Sequence, residues 1–148
     1  MLGYYKNEEA TRAVLDADGW YHTGDLGTMS ADGHVFIRGR IKNMLLGSNG
    51  QNVYPEEIED KLNSMAYVNE SLIVQKGDKL IGLVHPDYDE AKAMDFNDDD
   101  LMSIMEQNRL KLNEQLPPFC KISELRLHED EFVKTPKKSI KRYLYKDV

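Results

Sequence analysis

Turn-forming residues cut this chain into short pieces, and that punctuation limits what it can fold into. Asp18-Gly19, Asp32-Gly33, the polar stretch Gly47 to Asn52, Gly77-Asp78, Pro86 and Pro117-Pro118 each interrupt a patterned segment. The apolar runs between them are only a few residues long, far short of a membrane-spanning helix. What survives is a succession of short strands and amphipathic helices. Leu26 to Met29 and Val35 to Arg38 flank Ser30-Ala31-Asp32-Gly33, which reads as a hairpin. Leu72 to Gln75 and Leu80 to Val84 around Lys76 to Lys79 read as a second, with Pro86 ending its outgoing strand. Ile122 to Leu127 alternates as a last strand, and Arg40 to Leu46 reads as a short extended run.

Helical signals lie between these runs. Asn7 and Glu8-Glu9 precede Ala10, Ala13, Val14 and Leu15. Pro55 suits a first turn, and Ile58, Leu62 and Met65 follow at i, i+4 and i+7. Asp98, Asp99 and Asp100 stand before Leu101, Ile104, Met105, Asn108, Leu112 and Leu116, placing acids at the positive end of an amphipathic helix. Three adjacent acids at a helix start cap it; they cannot converge on one ion. The expected fold is therefore α+β: a small mixed domain of about three strands with flanking helices, preceded by a β-hairpin. Two strands cannot stand free, so that hairpin is expected to belong to a sheet completed elsewhere.

Composition removes whole classes of function. The 148 residues carry a formal charge of -7, and a nucleic-acid binder needs a cationic footprint to displace counterions. Cys120 is the only cysteine, which excludes an intrachain disulfide and suits a reducing, cytoplasmic setting. His22, His34, His85 and His128 lack ligand spacing, so no metal site is expected.

Three segments carry chemistry. In Asp18-Gly19-Trp20-Tyr21-His22-Thr23-Gly24-Asp25, a carboxylate just after a glycine turn can accept hydrogen bonds from both hydroxyls of a ribose. Alone, Asp25 could equally be a local turn cap. In Gly39-Arg40-Ile41-Lys42, Arg40 offers a charged fork of donors to ribose or phosphate oxygens, and Lys42 stands where the character of the sequence changes. The third runs from Lys134 to Arg142, through Thr135-Pro136-Lys137-Lys138-Ser139-Ile140-Lys141, inside a basic tail. Its lysines could also be a solvated surface.

The first two segments, in this order and spacing, resemble the nucleotide-binding and hinge motifs of the adenylate-forming, AMP-forming acyl-CoA ligases. The resemblance implies that residues 1–41 are the last piece of a large N-terminal domain and residues 42–148 the smaller C-terminal lid. It implies that Asp25 and Arg40 hold the ribose of ATP or AMP, that Lys42 is the hinge, and that Gly47, Ser48, Asn49 and Gly50 meet the pantetheine of CoA. The tail resembles the segment where a lysine reaches the α-phosphate. If Ile140, Lys141 and Arg142 fix the register, that position falls on Ser139, and Lys138 stands one residue earlier. In an extended strand a one-residue shift faces the other way, so Lys138 needs a bulge or loop to serve.

The tail is more similar to long-chain fatty acid ligases than to acetate or aryl-acid enzymes. ATP, CoA and a fatty acid are then the implied co-substrates, and the N-terminal domain the implied partner, holding magnesium through residues absent from this sequence. The resemblance implies no activity for the isolated piece, and peripheral membrane contact stays compatible with it. Two other readings stay open: the lid of an aryl- or amino-acid-activating relative, and a noncatalytic α+β module that binds a nucleotide or a protein. A self-sufficient module would bury Trp20, Tyr21, Val35 and Ile37 in its own core.

Overall fold

The computed structural model describes residues 1–47 and 49–146. The chain divides into two units, Met1–Asn43 and Met44–Val148.

The first unit begins with a single-turn helix α1 (Glu8–Arg12), whose N-cap Asn7 accepts the Ala10 N–H at 3.0 Å. The expected helix ran on to Leu15. Instead Leu15 forms an isolated bridge to Tyr21, around a turn gathered by one side chain. Asp16 Oδ1 accepts the N–H groups of Trp20 at 2.8 Å and Asp18 at 3.1 Å, and its Oδ2 lies 3.0 Å from His22 Nε2. These bonds, the Trp20 amide foremost, hold the Asp16 carboxyl below its ordinary range. Strands β1 (Asp25–Met29) and β2 (Val35–Arg40) then pair antiparallel as the expected hairpin, with a bulge at Leu26/Gly27. Among the described residues of this unit none is buried. Trp20 is 73% exposed and Ile37 68%.

The second unit has a proper core. A two-residue ribbon, β3 (Leu45–Leu46) with β4 (Asn52–Val53), frames the polar loop. The run from Arg40 to Leu46 is thus not continuous strand: Ile41–Asn43 is a 3₁₀ turn. Helix α2 (Pro55–Asn63) starts on its proline and stops two residues before Met65. Strands β5 (Val68–Lys76), β6 (Lys79–Pro86) and β7 (Ile122–Leu127) form one sheet in that order, antiparallel then parallel. The crossover to β7 carries α3 (Tyr88–Ala93) and α4 (Asp98–Glu114). A capping box closes the N-terminus of α4: Asn97 Oδ1 accepts the N–H of Asp99 and Asp100, and Asp100 Oδ2 accepts the Asn97 N–H. At its other end Asn113 exchanges two bonds with the backbone of Ile122, fixing where β7 begins.

Both faces of the sheet are covered, and alternation decides which residue serves which. Ile73, Leu80, Val84 and Leu125 face Ile58, Leu62, Met105 and Leu112 of α2 and α4. Leu72, Val74, Ile81 and Leu83 face Phe132 and Tyr145 of the tail. Gly82 lies on the helix side, where an added Cβ would come within 2.4 Å of Leu125 Cδ2. Leu125 is itself buried, so its methyl cannot simply swing clear. Gly82→Ala is therefore expected to destabilise the second unit by about 1–3 kcal/mol through overpacking. Urea unfolding of this variant, followed by circular dichroism, checks the figure.

Candidate nucleotide and lid site

Asp25 and Arg40 are register partners at the open end of the hairpin. Arg40 Nε donates to Asp25 Oδ1 at 2.7 Å and its Nη1 to the Thr23 carbonyl at 3.1 Å. Thr23 Oγ1 in turn accepts the Asp25 N–H at 3.0 Å, around Gly24, whose φ of +74° suits glycine alone at no steric cost. The two residues that the sequence singled out 15 positions apart thus meet in one cross-strand pair. Both side chains stay accessible, Arg40 at 53% and Asp25 at 32%, where an ion pair contributes only about 0–1 kcal/mol to folding. Chemically the pair joins an acceptor-only carboxylate to a donor-only guanidinium, and each hydroxyl of a vicinal diol needs both.

Lys42 lies exposed in the 3₁₀ turn that follows, next to the boundary between the units. Beyond it, the Gly47 loop is closed by its own backbone. The Gly47 N–H donates to the Gln51 carbonyl at 2.8 Å and the Gly50 N–H to the Gly47 carbonyl at 2.9 Å, with Gly50 at φ +76°. Asn49 Oδ1 accepts the Gln51 N–H at 3.2 Å. Ser48 lies outside the described residues.

The tail folds back on itself. Lys134 bridges Ile140 antiparallel, the Thr135 N–H donates to the Ser139 carbonyl at 2.8 Å, and the Lys138 N–H to the Thr135 carbonyl at 2.9 Å. Lys138 therefore occupies the corner of a tight turn, at φ +60°, a left-handed conformation uncommon for a side chain of this size. Ser139 donates its N–H to Thr135 Oγ1 at 3.3 Å. The segment is a looped turn, not an extended strand.

Sequence reasoning missed two groups here. Glu59 of α2 is a buried carboxyl group, accepting the Ile73 N–H of β5 at 2.6 Å and a short bond from Arg142. Glu70 of β5 pairs with Lys134 at 2.7 Å. The available signal for Glu59 was a charge on the apolar side of α2, one residue after Ile58. Among the described residues no three His, Cys, Asp or Glu side chains are placed together to hold a metal ion. Nor is any described helix long and apolar enough to cross a membrane.

The sequence from residue 42 to 147 matches the family described as the AMP-binding enzyme C-terminal domain. The chain belongs to that family. Its members' relation to acyl-CoA synthetases is carried by the named relatives. A 3-[(3aS,4S,7aS)-7a-methyl-1,5-dioxo-octahydro-1H-inden-4-yl]propanoyl:CoA ligase from Rhodococcus jostii (strain RHA1) is 40% identical over 108 residues, 72% of this chain and 21% of the ligase. The long-chain-fatty-acid–CoA ligase ACSBG2 of Gallus gallus is 40% identical over 80 residues, 53% of this chain and 10% of that enzyme. Among solved structures, ATP-bound MatB from Rhodopseudomonas palustris superposes with a TM-score of 0.66 at 27% identity, over 98% of this chain and 28% of that one. The chain corresponds to the C-terminal portion of AMP-forming acyl-CoA synthetases and spans under a third of each of these proteins.

Burial raises the Glu59 carboxyl above the ordinary glutamate value, against the opposing pull of Arg142 and the Ile73 amide; Glu56 nearby raises it further. The folded chain then holds this proton more tightly than the unfolded chain does. The group's contribution to stability is complete below the ordinary glutamate range and is lost as pH rises through the raised value. Glu59→Gln cannot titrate, so its urea stability should vary less than the parent's as pH rises from the ordinary glutamate range through weakly acidic conditions. A denaturation series in that window tests the sign.

Proposed function

We propose that this chain is the C-terminal portion, lid included, of an acyl-CoA ligase acting on long-chain fatty acids in the cytoplasm, inactive without the rest of the large domain. In the reaction, a fatty acid carboxylate attacks the α-phosphate of ATP and releases pyrophosphate, and the CoA thiol then displaces AMP from the acyl-adenylate to leave the thioester. The observation that carries this reading is the cross-strand pair of Asp25 and Arg40, which offers a ribose diol an acceptor and a donor side by side. Residues 1–41 are read as the end of the large domain and 42–148 as the lid, pivoting at Lys42. The Gly47 loop, with Ser48, Asn49 and Gly50, is read as the pantetheine contact. Lys138 is read as the cation for adenylation, stabilising charge that develops on the phosphoryl group in transfer. The fatty acid rests on the similarity to ACSBG2 and to the tail sequence. Magnesium would be held by the large domain.

The exposed Trp20, Val35, Phe36 and Ile37 favour this reading over a self-sufficient binding module. An apolar hairpin with no buried residue needs a partner.

Calorimetric titration with ATP, AMP and CoA is expected to show no binding to the chain alone. Nucleotide binding and thioester formation should return once the large domain is supplied. Tight nucleotide binding by the chain alone would instead support the module. Within the complete ligase, Lys138→Gly relieves the left-handed backbone while deleting the charge. Adenylate formation, followed by pyrophosphate exchange, should fall on the order of a hundredfold. An unchanged rate would remove Lys138 from the mechanism.

A further inference from the structure

The turn that carries Lys138 is the tip of a small hairpin, and its base is fastened to the second unit at three points. Lys134 Nζ lies 2.7 Å from Glu70 Oε1 on β5. Arg142 bonds to Glu59 and reaches within 4.0 Å of Glu56 Oε1, bridging two carboxylates one turn apart on α2. Tyr145 OH accepts the Val133 N–H at 2.8 Å, while its ring packs with Phe132 against Leu72, Val74, Ile81 and Leu83. Between these points the Lys141 N–H donates to the Val133 carbonyl at 2.8 Å, completing the base.

Both ion pairs are mostly withdrawn from solvent. Arg142 keeps 21% of its side-chain exposure and Glu59 9%; Lys134 keeps 27% and Glu70 25%. Pairs so placed are screened less than surface pairs. The tip, by contrast, exposes Lys137 and Lys138, two adjacent like charges on flexible stems. A hairpin this short has no stability of its own. Whatever direction its tip keeps comes from the base.

We propose that Arg142 and Lys134, acting through Glu59 and Glu70, are positioning residues that hold the Lys138 turn in a fixed presentation and thereby set the rate of the adenylation step without touching the substrates. The catalytic half of this statement rests on the ligase reading above; the clamp rests only on the contacts just given. A charge displaced by about 1 Å costs on the order of a hundredfold in rate, so loosening the base should act on turnover and not on ATP affinity. Arg142 faces Glu59 and Glu56, and Lys134 faces Glu70 and Glu131. Removing either cation leaves a largely withdrawn carboxyl group without the cation it faces.

Hydrogen exchange on the 148-residue chain reads the clamp directly. Arg142→Gln and Lys134→Gln should speed exchange of the Thr135, Lys138 and Lys141 amides on the order of tenfold or more, while amides of the central strand β6 keep their rates. Unchanged hairpin amides, or an equal rise in β6, would overturn the clamp. In the complete ligase, Arg142→Gln should lower kcat for pyrophosphate exchange about tenfold or more, with KM for ATP and the thioester step from preformed adenylate unchanged. Arg142→Lys should restore much of the loss. Equal loss in both half-reactions, or a change confined to KM, would overturn the positioning role. If Lys138→Gly is silent while Arg142→Gln still loosens the hairpin, the ligase reading of Lys138 has failed and the clamp stands.

Discussion

Glu59 joins three parts of the second unit with one carboxylate. It projects from α2, takes the backbone N–H of Ile73 in the edge strand β5, and receives Arg142 from the tail. A buried carboxyl of this kind is tolerated only when its oxygens are satisfied by donors held close. That demand specifies geometry more than it adds stability. The helix must lie along β5 at one axial position, and the tail must cross the α2 end of the sheet, not its far edge. The apolar cluster of Ile58, Leu62 and Ile73 could be satisfied by several helix settings; the Glu59 bonds select one.

The two units stand in opposite energetic situations. In the second, β5 and β6 have apolar cover on both faces and β7 on its helix-facing side, and caps such as the Asn97 box close its helix ends. In the first, order comes from local polar bonds: Asp16 gathering the Trp20 turn, Asp32 within 2.7 Å of His34, and Asp25 against Arg40. Exposed bonds of that sort are screened by water and add little stability each. They shape the backbone around the candidate nucleotide pair without supplying a core.

Much of this was legible in the sequence because the signals were local. Turn residues between β-rich runs located the hairpins, alternation located the last strand, and Pro55 and the Asp98–Asp100 run located helix starts. The family resemblance implied a common role for Asp25 and Arg40, and hairpin register brings the two together. What escaped was non-local. Nothing in Ile122 to Leu127 states that it lies parallel to β6, since that follows from the crossover through α3 and α4. Glu59 and Arg142 are 83 residues apart, and each looks like an ordinary surface charge until folding buries the first. The left-handed turn at Lys138 was similarly hidden, because nothing in Lys137-Lys138-Ser139 carries the glycine or asparagine that announces such a corner.

The parallel pairing of β6 with β7 also orders events in time. Antiparallel β5 and β6 meet across a two-residue turn, a contact that closes within microseconds once both strands exist. The β6–β7 ladder joins Leu80 to Ile122 and must wait for everything between them, since loop-closure entropy is spent before the distant strand returns any enthalpy. On a ribosome, α2 and the β5–β6 hairpin can assemble early, leaving the helix-facing side of β6 open until α4 arrives. Tyr145, which lies beyond α4 in the chain, docks later still on the face formed by Leu72, Val74, Ile81 and Leu83.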